Sequence, residues 1–235
     1  MIDWIAFDAD DTLWRNEEFY LDGRAKFFQI LEQYDLRPEQ IKEFDRFEVE
    51  NIQYFGYGVM SFILSMIELA VDLTEERVHP ADIRRIIQLG KDMLTHEVVV
   101  FKGVKELLES LSADYPLMMI TKGDLFHQQR KYKASGLSGF FSSLEVVSEK
   151  DRSVYKEILD RHQIQPDRFL MIGNSLRSDI LPVLELGGWA VHLANHPTWS
   201  HEDDPLQDSF PDRYLEVEGI PLVYPSLLGA GLVEG

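Results

Sequence analysis

The most informative part of this sequence is the stretch Trp4-Ile5-Ala6-Phe7-Asp8-Ala9-Asp10-Asp11-Thr12-Leu13. Its first four residues form a near-continuous apolar run, which is typical of a strand buried on both faces of a parallel sheet. Three acids follow closely, and carboxylates crowded at one strand end repel each other unless a cation or a proton neutralises them. Because ligands bind at the carboxyl ends of the strands in open α/β sheets, Asp8 and Asp10 are candidate active-site residues. The alternative is a solvated acidic turn that opens a helix, with Thr12 as its cap.

The composition limits the class of protein. The chain has 235 residues and a formal net charge of −18, which argues against nucleic acid or an anionic membrane as a partner, since both require clustered Lys and Arg. It has no cysteine, which excludes disulfides, thiolate zinc sites and thiol nucleophiles. No secretory signal precedes the first strand, and the most apolar window, 59–71, is too short to span a bilayer. We therefore expect a cytoplasmic protein, and the sequence leaves its oligomeric state open.

Two kinds of periodicity divide the chain. After Leu13 the apolar spacing is helical until about Val98, and helices are predicted at 17–34, from Pro38 toward Tyr54, at 59–73 and from Pro80. Beyond it helices alternate with strands, which are predicted at 116–120, 144–147, 169–172 and 189–193, with an edge strand at 214–217. This alternation implies a parallel sheet. We predict an α/β core, 1–13 and 102–235, interrupted by a helical cap domain, 14–101.

Polar residues follow four of the predicted strands. In chain order they are Asp8 and Asp10, then Thr121 and Lys122, then Lys150, then Gly173 and Asn174 with Asp179 five residues beyond Asn174. Parallel strands bring their carboxyl ends to one edge of the sheet, where such residues can form one site.

This order of motifs resembles that of the haloacid dehalogenase-like hydrolases, most of which are magnesium-dependent phosphatases. The resemblance covers the α/β part and implies a Rossmann-like core with a helical cap of the first type. It implies that Asp8 attacks phosphorus and forms an aspartyl-phosphate, while Asp10 donates and later accepts a proton. Two carboxylates this close are expected to have pKa values pushed apart. Members that displace halide lack a carboxylate at the position of Asp10, so its presence favours cleavage of a phosphate ester.

The resemblance also implies the phosphate ligands. Thr121 would donate its hydroxyl to a phosphoryl oxygen, and Lys150 would neutralise the phosphate. Lys122 is a further phosphate-binding candidate, although its side chain is expected on the opposite side of the chain from Thr121. Lys131 and Lys156 fall on predicted helices, where solvated positions are expected.

Magnesium is the cofactor that the resemblance implies. It would be held by the Asp8 carboxylate, the Asp10 carbonyl and the fourth motif, an oxygen-only ligand set of the kind this cation prefers. Asn174 stands where the family commonly has Asp, which leaves open whether Asn174 or Asp179 is the direct ligand. An uncharged amide also predicts weaker metal binding. His192 and His196 form no metal motif and are predicted to be structural.

Substrate specificity is assigned to the cap. Phe55 and Tyr57 form an aromatic turn that could cover the leaving group of the substrate, or a turn that packs inside the cap, and Asn16 lies at the entrance to the insertion. We expect the cap to exclude bulk water from the site. The predicted function is magnesium-dependent hydrolysis of a small soluble phosphate ester. A phosphomutase acting on a sugar phosphate and a non-catalytic phosphate-binding protein are the alternatives.

Overall fold

A computed structural model describes residues 2–36, 43–199 and 211–234. Six strands lie within these residues: β1 (Trp4–Phe7), β2 (Leu117–Lys122), β3 (Ser143–Val147), β4 (Phe169–Gly173), β5 (Trp189–Leu193) and β6 (Tyr214–Val217). They form one sheet in the order β3-β2-β1-β4-β5-β6, and every neighbouring pair is parallel. The predicted α/β class and parallel sheet are therefore confirmed. The order reverses between β1 and β4, which is the place where open α/β sheets bind ligands.

The helices, in chain order, are α1 (Glu17–Leu31), α2 (Glu43–Phe55), α3 (Val59–Leu73), α4 (Pro80–Leu94), α5 (Val104–Ser112), α6 (Leu125–Ala134), α7 (Arg152–His162), α8 (Leu181–Glu185) and α9 (Ile220–Gly229). A 3₁₀ turn, Glu32–Tyr34, follows α1, and a π-helical turn, Leu176–Ile180, precedes α8. The described residues contain no helix with the length and apolar character needed to cross a membrane.

The side chains of β1 alternate between two apolar clusters, one on each face of the sheet. Ile5 and Phe7 pack in a cluster that contains residues of α5 and α9, whereas Ala6 packs in a second cluster with residues of α7 and α8. Successive residues of a strand point to opposite faces, so a strand buried on both sides must be apolar throughout.

The chain divides into two compact units. One comprises Met1–Glu17, Val98–Lys122 and Gln128–Gly235 and contains the sheet. The other comprises Glu18–Glu97 together with Gly123–His127 and is helical. Its core is aromatic, with Phe44 packing against Phe27 and Phe62 at centroid distances of 5.8 and 5.4 Å. The cap boundaries drawn from the sequence, 14–101, stay a prediction.

Most predicted elements occur, and the differences have local causes. Helix α1 ends at Leu31 and is followed by the 3₁₀ turn that reaches Tyr34. The helix expected after the fourth core strand is divided into the π-helical turn and α8. Helix α9 has no counterpart in the sequence prediction, because Pro221 and Pro225 resemble turn residues. The predicted start of the second helix at Pro38 lies outside the described residues.

Candidate active site

The carboxyl end of β1 carries the first two acids. The backbone N–H of Asp8 donates to the Ile172 carbonyl at 2.9 Å, which continues the pairing of β1 with β4. The Asp8 side chain is buried, with 10% of its surface exposed. Its Oδ2 is also buried and accepts no hydrogen bond from the described residues. A buried carboxylate oxygen without a partner is costly, so it is a candidate ligand atom for a cation or a reacting group.

Lys150 lies between two acids. Its ammonium is 2.5 Å from Asp8 Oδ1 and 2.8 Å from Asp179 Oδ1, and all three side chains are buried. The structure thus brings Lys150 to Asp8, as the third motif predicts. Burial disfavours the charge of Lys150, but Asp179 and Asp8 outweigh it and raise the pKa of Lys150, so the ammonium persists at neutral pH.

The pKa of Asp8 moves in the same direction. Burial raises the pKa of Asp8 to about 7; Lys150 opposes this shift and the charge of Asp179 adds to it. A divalent cation on Asp8 would favour its ionised form and so lower the pKa again.

Asp179 reaches the end of β4 because residue 173 is a glycine. A Cβ on Gly173 would lie 2.2 Å from Asp179 Oδ2, closer than packed atoms approach. The same Oδ2 accepts a hydrogen bond from the Ser175 backbone N–H at 3.1 Å, and Ser175 Oγ accepts from the N–H of Ser178. The Gly-Asn-Ser sequence therefore forms a turn that presents Asp179 to Lys150.

The Asp10 carboxylate is held by four hydrogen bonds. Trp14 Nε1 donates to its Oδ1 at 2.6 Å, Gln128 Nε2 donates to its Oδ2 at 2.9 Å, and Lys131 Nζ lies 2.6 Å from both oxygens. Burial alone would raise the pKa of Asp10, but Lys131 and the other donors outweigh it, and the pKa is lowered. The two carboxylates thus have pKa values that move apart, as expected for neighbours.

The predicted solvated position of Lys131 is wrong. Only 12% of its side chain is exposed, and besides Asp10 it contacts Asn16 Oδ1 at 3.3 Å. Lys156, by contrast, is exposed on α7 and pairs with Asp160 one turn away. Sequence reasoning also missed Gln128. The available signal was spacing: Gln128 and Lys131 are three residues apart on the helix that follows the Thr121 strand, so they lie on one face of it.

Thr121 and Lys122 end β2. Thr121 is buried, and its hydroxyl makes a long contact of 3.4 Å with the Lys122 carbonyl. The two residues are adjacent in a strand and leave it on opposite faces. The Lys122 ammonium nevertheless stays at the strand ends, where it donates to Ser178 Oγ at 2.8 Å and lies 3.5 Å from Glu149.

Asn174 is held through both ends of its amide. Its Oδ1 accepts from the Thr12 hydroxyl at 3.1 Å, and its Nδ2 donates to the Pro197 carbonyl at 2.6 Å and to Thr198 Oγ1 at 3.2 Å. The backbone carbonyl of Asn174 contacts His192 Nε2 at 3.1 Å. Asn174 therefore links the end of β1 to the segment that follows β5.

The two histidines near this segment have structural partners. Besides Asn174, His192 contacts the Tyr214 hydroxyl at 3.2 Å through Nδ1. His196 Nδ1 lies 2.8 Å from the Asp11 carbonyl, and its ring packs on Phe101.

The donor set fits magnesium. Asp8 Oδ2 is an unpartnered carboxylate oxygen, Asn174 offers a carbonyl-type oxygen, and Asp179 adds a second carboxylate. Oxygen ligands are what this hard cation prefers, and it retains several waters. Within residues 2–36, 43–199 and 211–234, no three His, Cys, Asp or Glu side chains form a metal-binding group. Whether Asn174 or Asp179 is the direct ligand stays open.

The specificity candidates are divided between the two units. Asn16 lies in the sheet-containing unit, where its side chain contacts Lys131. Phe55 ends α2 in the helical unit and is half exposed, and Tyr57 follows it in a bend. Their assignment to substrate specificity stays a prediction.

The fold and the site together define a class of parallel α/β proteins. Its members carry two acids after a central first strand, a lysine after the edge strand β3 and a helical insertion that follows the acids in the chain. The family model of the haloacid dehalogenase-like hydrolases matches residues 2–187. The chain belongs to this family, and its predicted membership is confirmed.

Solved structures agree with this assignment. A haloacid dehalogenase-like family hydrolase from Xanthomonas campestris is 39% identical, with a TM-score of 0.83 and 98% of each chain covered. A predicted phosphoglycolate phosphatase from Haemophilus somnus is 18% identical, with a TM-score of 0.63 and coverage of 96% of this chain and 97% of that one. A 2-haloacid dehalogenase from Pseudomonas syringae is 18% identical, with a TM-score of 0.65 and coverage of 97% and 99%. The last two share the fold alone. A search of curated proteins gave no match.

Proposed function

We propose that this hydrolase is a magnesium-dependent phosphomonoesterase that acts on a small soluble phosphate ester. The observation that carries the proposal is the carboxylate of Asp10, which four hydrogen bonds hold two residues after the buried Asp8. Displacement of halide from carbon needs no proton for its leaving group, whereas an ester releases an alkoxide that does. A second carboxylate at this position therefore supports ester cleavage over dehalogenation.

The reaction would proceed in two steps. An Asp8 oxygen attacks phosphorus, the phosphorus–oxygen bond to the leaving group breaks, and the leaving oxygen takes a proton from Asp10. Water then attacks the aspartyl-phosphate, gives a proton to Asp10 and releases Asp8 together with inorganic phosphate. The net change is ester plus water to alcohol plus phosphate.

The remaining residues would handle the charge. The Lys150 ammonium, paired with Asp8 and Asp179, supports attack by holding the nucleophile and neutralising the phosphoryl oxygens. Thr121 would donate its hydroxyl to one of those oxygens. Magnesium, held by Asp8, the Asp10 carbonyl, Asn174 and Asp179, would supply positive charge to the phosphoryl group.

The test is release of inorganic phosphate from p-nitrophenyl phosphate, with Mg²⁺ or with chelator. Native protein, Asp8→Asn and Asp3→Asn are compared; Asp3 precedes β1, and its exposed side chain pairs with Arg168, so it is a matched control. We expect release that requires Mg²⁺, is abolished in Asp8→Asn and is unchanged in Asp3→Asn. Chloride release from 2-chloropropionate without phosphate release would refute the proposal in favour of a dehalogenase.

A further inference from the structure

Helix α6 presents two donors to Asp10. Gln128 and Lys131 lie three residues apart, so both side chains leave the same face of the helix. Gln128 Nε2 contacts Asp10 Oδ2 at 2.9 Å, and Lys131 Nζ contacts both carboxylate oxygens at 2.6 Å. With Trp14 on Oδ1, each oxygen of Asp10 has two donors. Four contacts on its two oxygens hold the carboxylate in one orientation.

The amide of Gln128 is itself fixed. Its Nε2 also donates to the Lys122 carbonyl at 2.6 Å, and since both partners of Nε2 are acceptors, the amide cannot be turned around. The other end, Oε1, is buried and has no hydrogen-bond partner among the described residues. A buried acceptor left unpaired is unfavourable. The surroundings of Gln128 therefore satisfy its Nε2, through Asp10 and the Lys122 carbonyl, and leave its Oε1 without a partner.

The side chain of Lys131, like that of Gln128, is fixed by its contacts. Its side chain is mostly buried, and its ammonium touches Asn16 Oδ1 as well as Asp10. Lys133, two residues later on α6, is exposed. The two lysines share a helix and a residue type, but only Lys131 contacts the site.

We propose that Lys131, together with Gln128, is a positioning residue for Asp10. It fixes the direction of the carboxylate that exchanges a proton with the leaving group and with the attacking water. The inference rests on the proposed function, because it concerns the step that Asp10 carries. Displacement of a reacting group by about 1 Å can cost about 10²-fold in rate, so loss of this anchor should slow the chemical step more than it weakens substrate binding.

The experiment compares Lys131→Met, Lys131→Arg and Lys133→Met with native protein, using p-nitrophenyl phosphate and Mg²⁺. For Lys131→Met we expect kcat to fall by about 10²-fold while KM changes little. Lys131→Arg keeps the charge and the donors and should recover part of kcat. Lys133→Met should match the native protein. Acid-quenched samples of Lys131→Met should also contain more aspartyl-phosphate during turnover. The p-nitrophenolate leaving group is weakly basic and needs little help from an acid, whereas hydrolysis of the intermediate needs Asp10 to accept a proton from water.

The outcomes separate this inference from the proposed function. If native protein turns over and Lys131→Met has the kcat of Lys133→Met, the inference is overturned and the proposed function stands. A change in KM alone would also overturn it. If native protein releases no phosphate, both fall together. Should Lys131→Met fail to fold, Lys131→Gln, which keeps a donor without the charge, gives the same comparison.

Discussion

Replacement of Asn174 by Asp tests what the amide does in this site. The substitution restores the residue that the family commonly carries, and a simple charge argument predicts tighter magnesium binding. The structure predicts a cost as well. Asn174 Nδ2 donates to the Pro197 carbonyl at 2.6 Å and to Thr198 Oγ1 at 3.2 Å, and a carboxylate can donate to neither.

The magnitude follows from these contacts. A neutral hydrogen bond contributes about 1 kcal/mol net, and the two bonds from Nδ2 are lost. Pro197 is exposed, so water can replace the lost donor at its carbonyl, and the Thr198 hydroxyl keeps its own bond to the Asn174 carbonyl at 3.0 Å. We therefore expect the metal-free Asn174→Asp protein to be less stable by about 1–2 kcal/mol. Added Mg²⁺ should stabilise the variant more than it stabilises native protein, because the new carboxylate attracts the cation.

The assay is urea unfolding in chelator and again in Mg²⁺, with magnesium affinity measured by calorimetry. The matched control is Asn195→Asp, which adds the same charge at an exposed position of the turn after β5. Its free energy of unfolding should stay close to the native value. Metal-free Asn174→Asp that is as stable as native protein would refute the reasoning, since it would mean that the bond to Pro197 contributes nothing.

Two further predictions concern the charges of the site. Lys150→Met leaves Asp8 and Asp179 buried without their ammonium, so metal-free protein should lose about 3–5 kcal/mol of unfolding free energy, with part recovered in Mg²⁺; unchanged urea midpoints would contradict this. Burial raises the pKa of Asp11 to about 7 from 3.8, so folded protein holds a proton there that the unfolded chain has lost. The stabilisation that comes from this extra proton on Asp11 is fully present below about pH 4 and is lost as the pH rises to about 7. In Asp11→Asn the decline of unfolding free energy over this range should become shallower by up to about 1.4 kcal/mol per pH unit, and identical slopes in variant and native protein would count against the shift.

Much of the fold could be predicted because the patterns involved are local. The bounds predicted for α3, Val59–Leu73, and for β5, Trp189–Leu193, are those of the structure, since apolar spacing and flanking glycines mark both. Helix α9 was missed for a local reason as well, because two prolines within ten residues suggest a turn. Pro221 is tolerated because it lies in the first turn, where its missing N–H has no intrahelical partner, whereas Pro225 lies inside the helix.

Part of the candidate site could also be placed from the sequence. Asp8 and Lys150, assigned by their positions after predicted strands, are adjacent in the structure. They come together because the carboxyl ends of parallel strands meet at one edge of the sheet, so order along the chain is enough to bring them close. Their roles in catalysis remain predictions.

The residues at the strand ends can be identified from the sequence alone, since a buried strand followed by acids can be recognised without knowing its neighbours. Which partners those residues have depends on the tertiary structure. Lys131 has the sequence context of a solvated helical lysine, yet the packing of α6 places its ammonium on Asp10. Similarly, Asn174 donates a hydrogen bond to the Pro197 carbonyl because the turn after β5 brings that carbonyl close. Hydrogen bonds and ion pairs are short-ranged and depend on how whole elements pack, and no local pattern of residues encodes that packing.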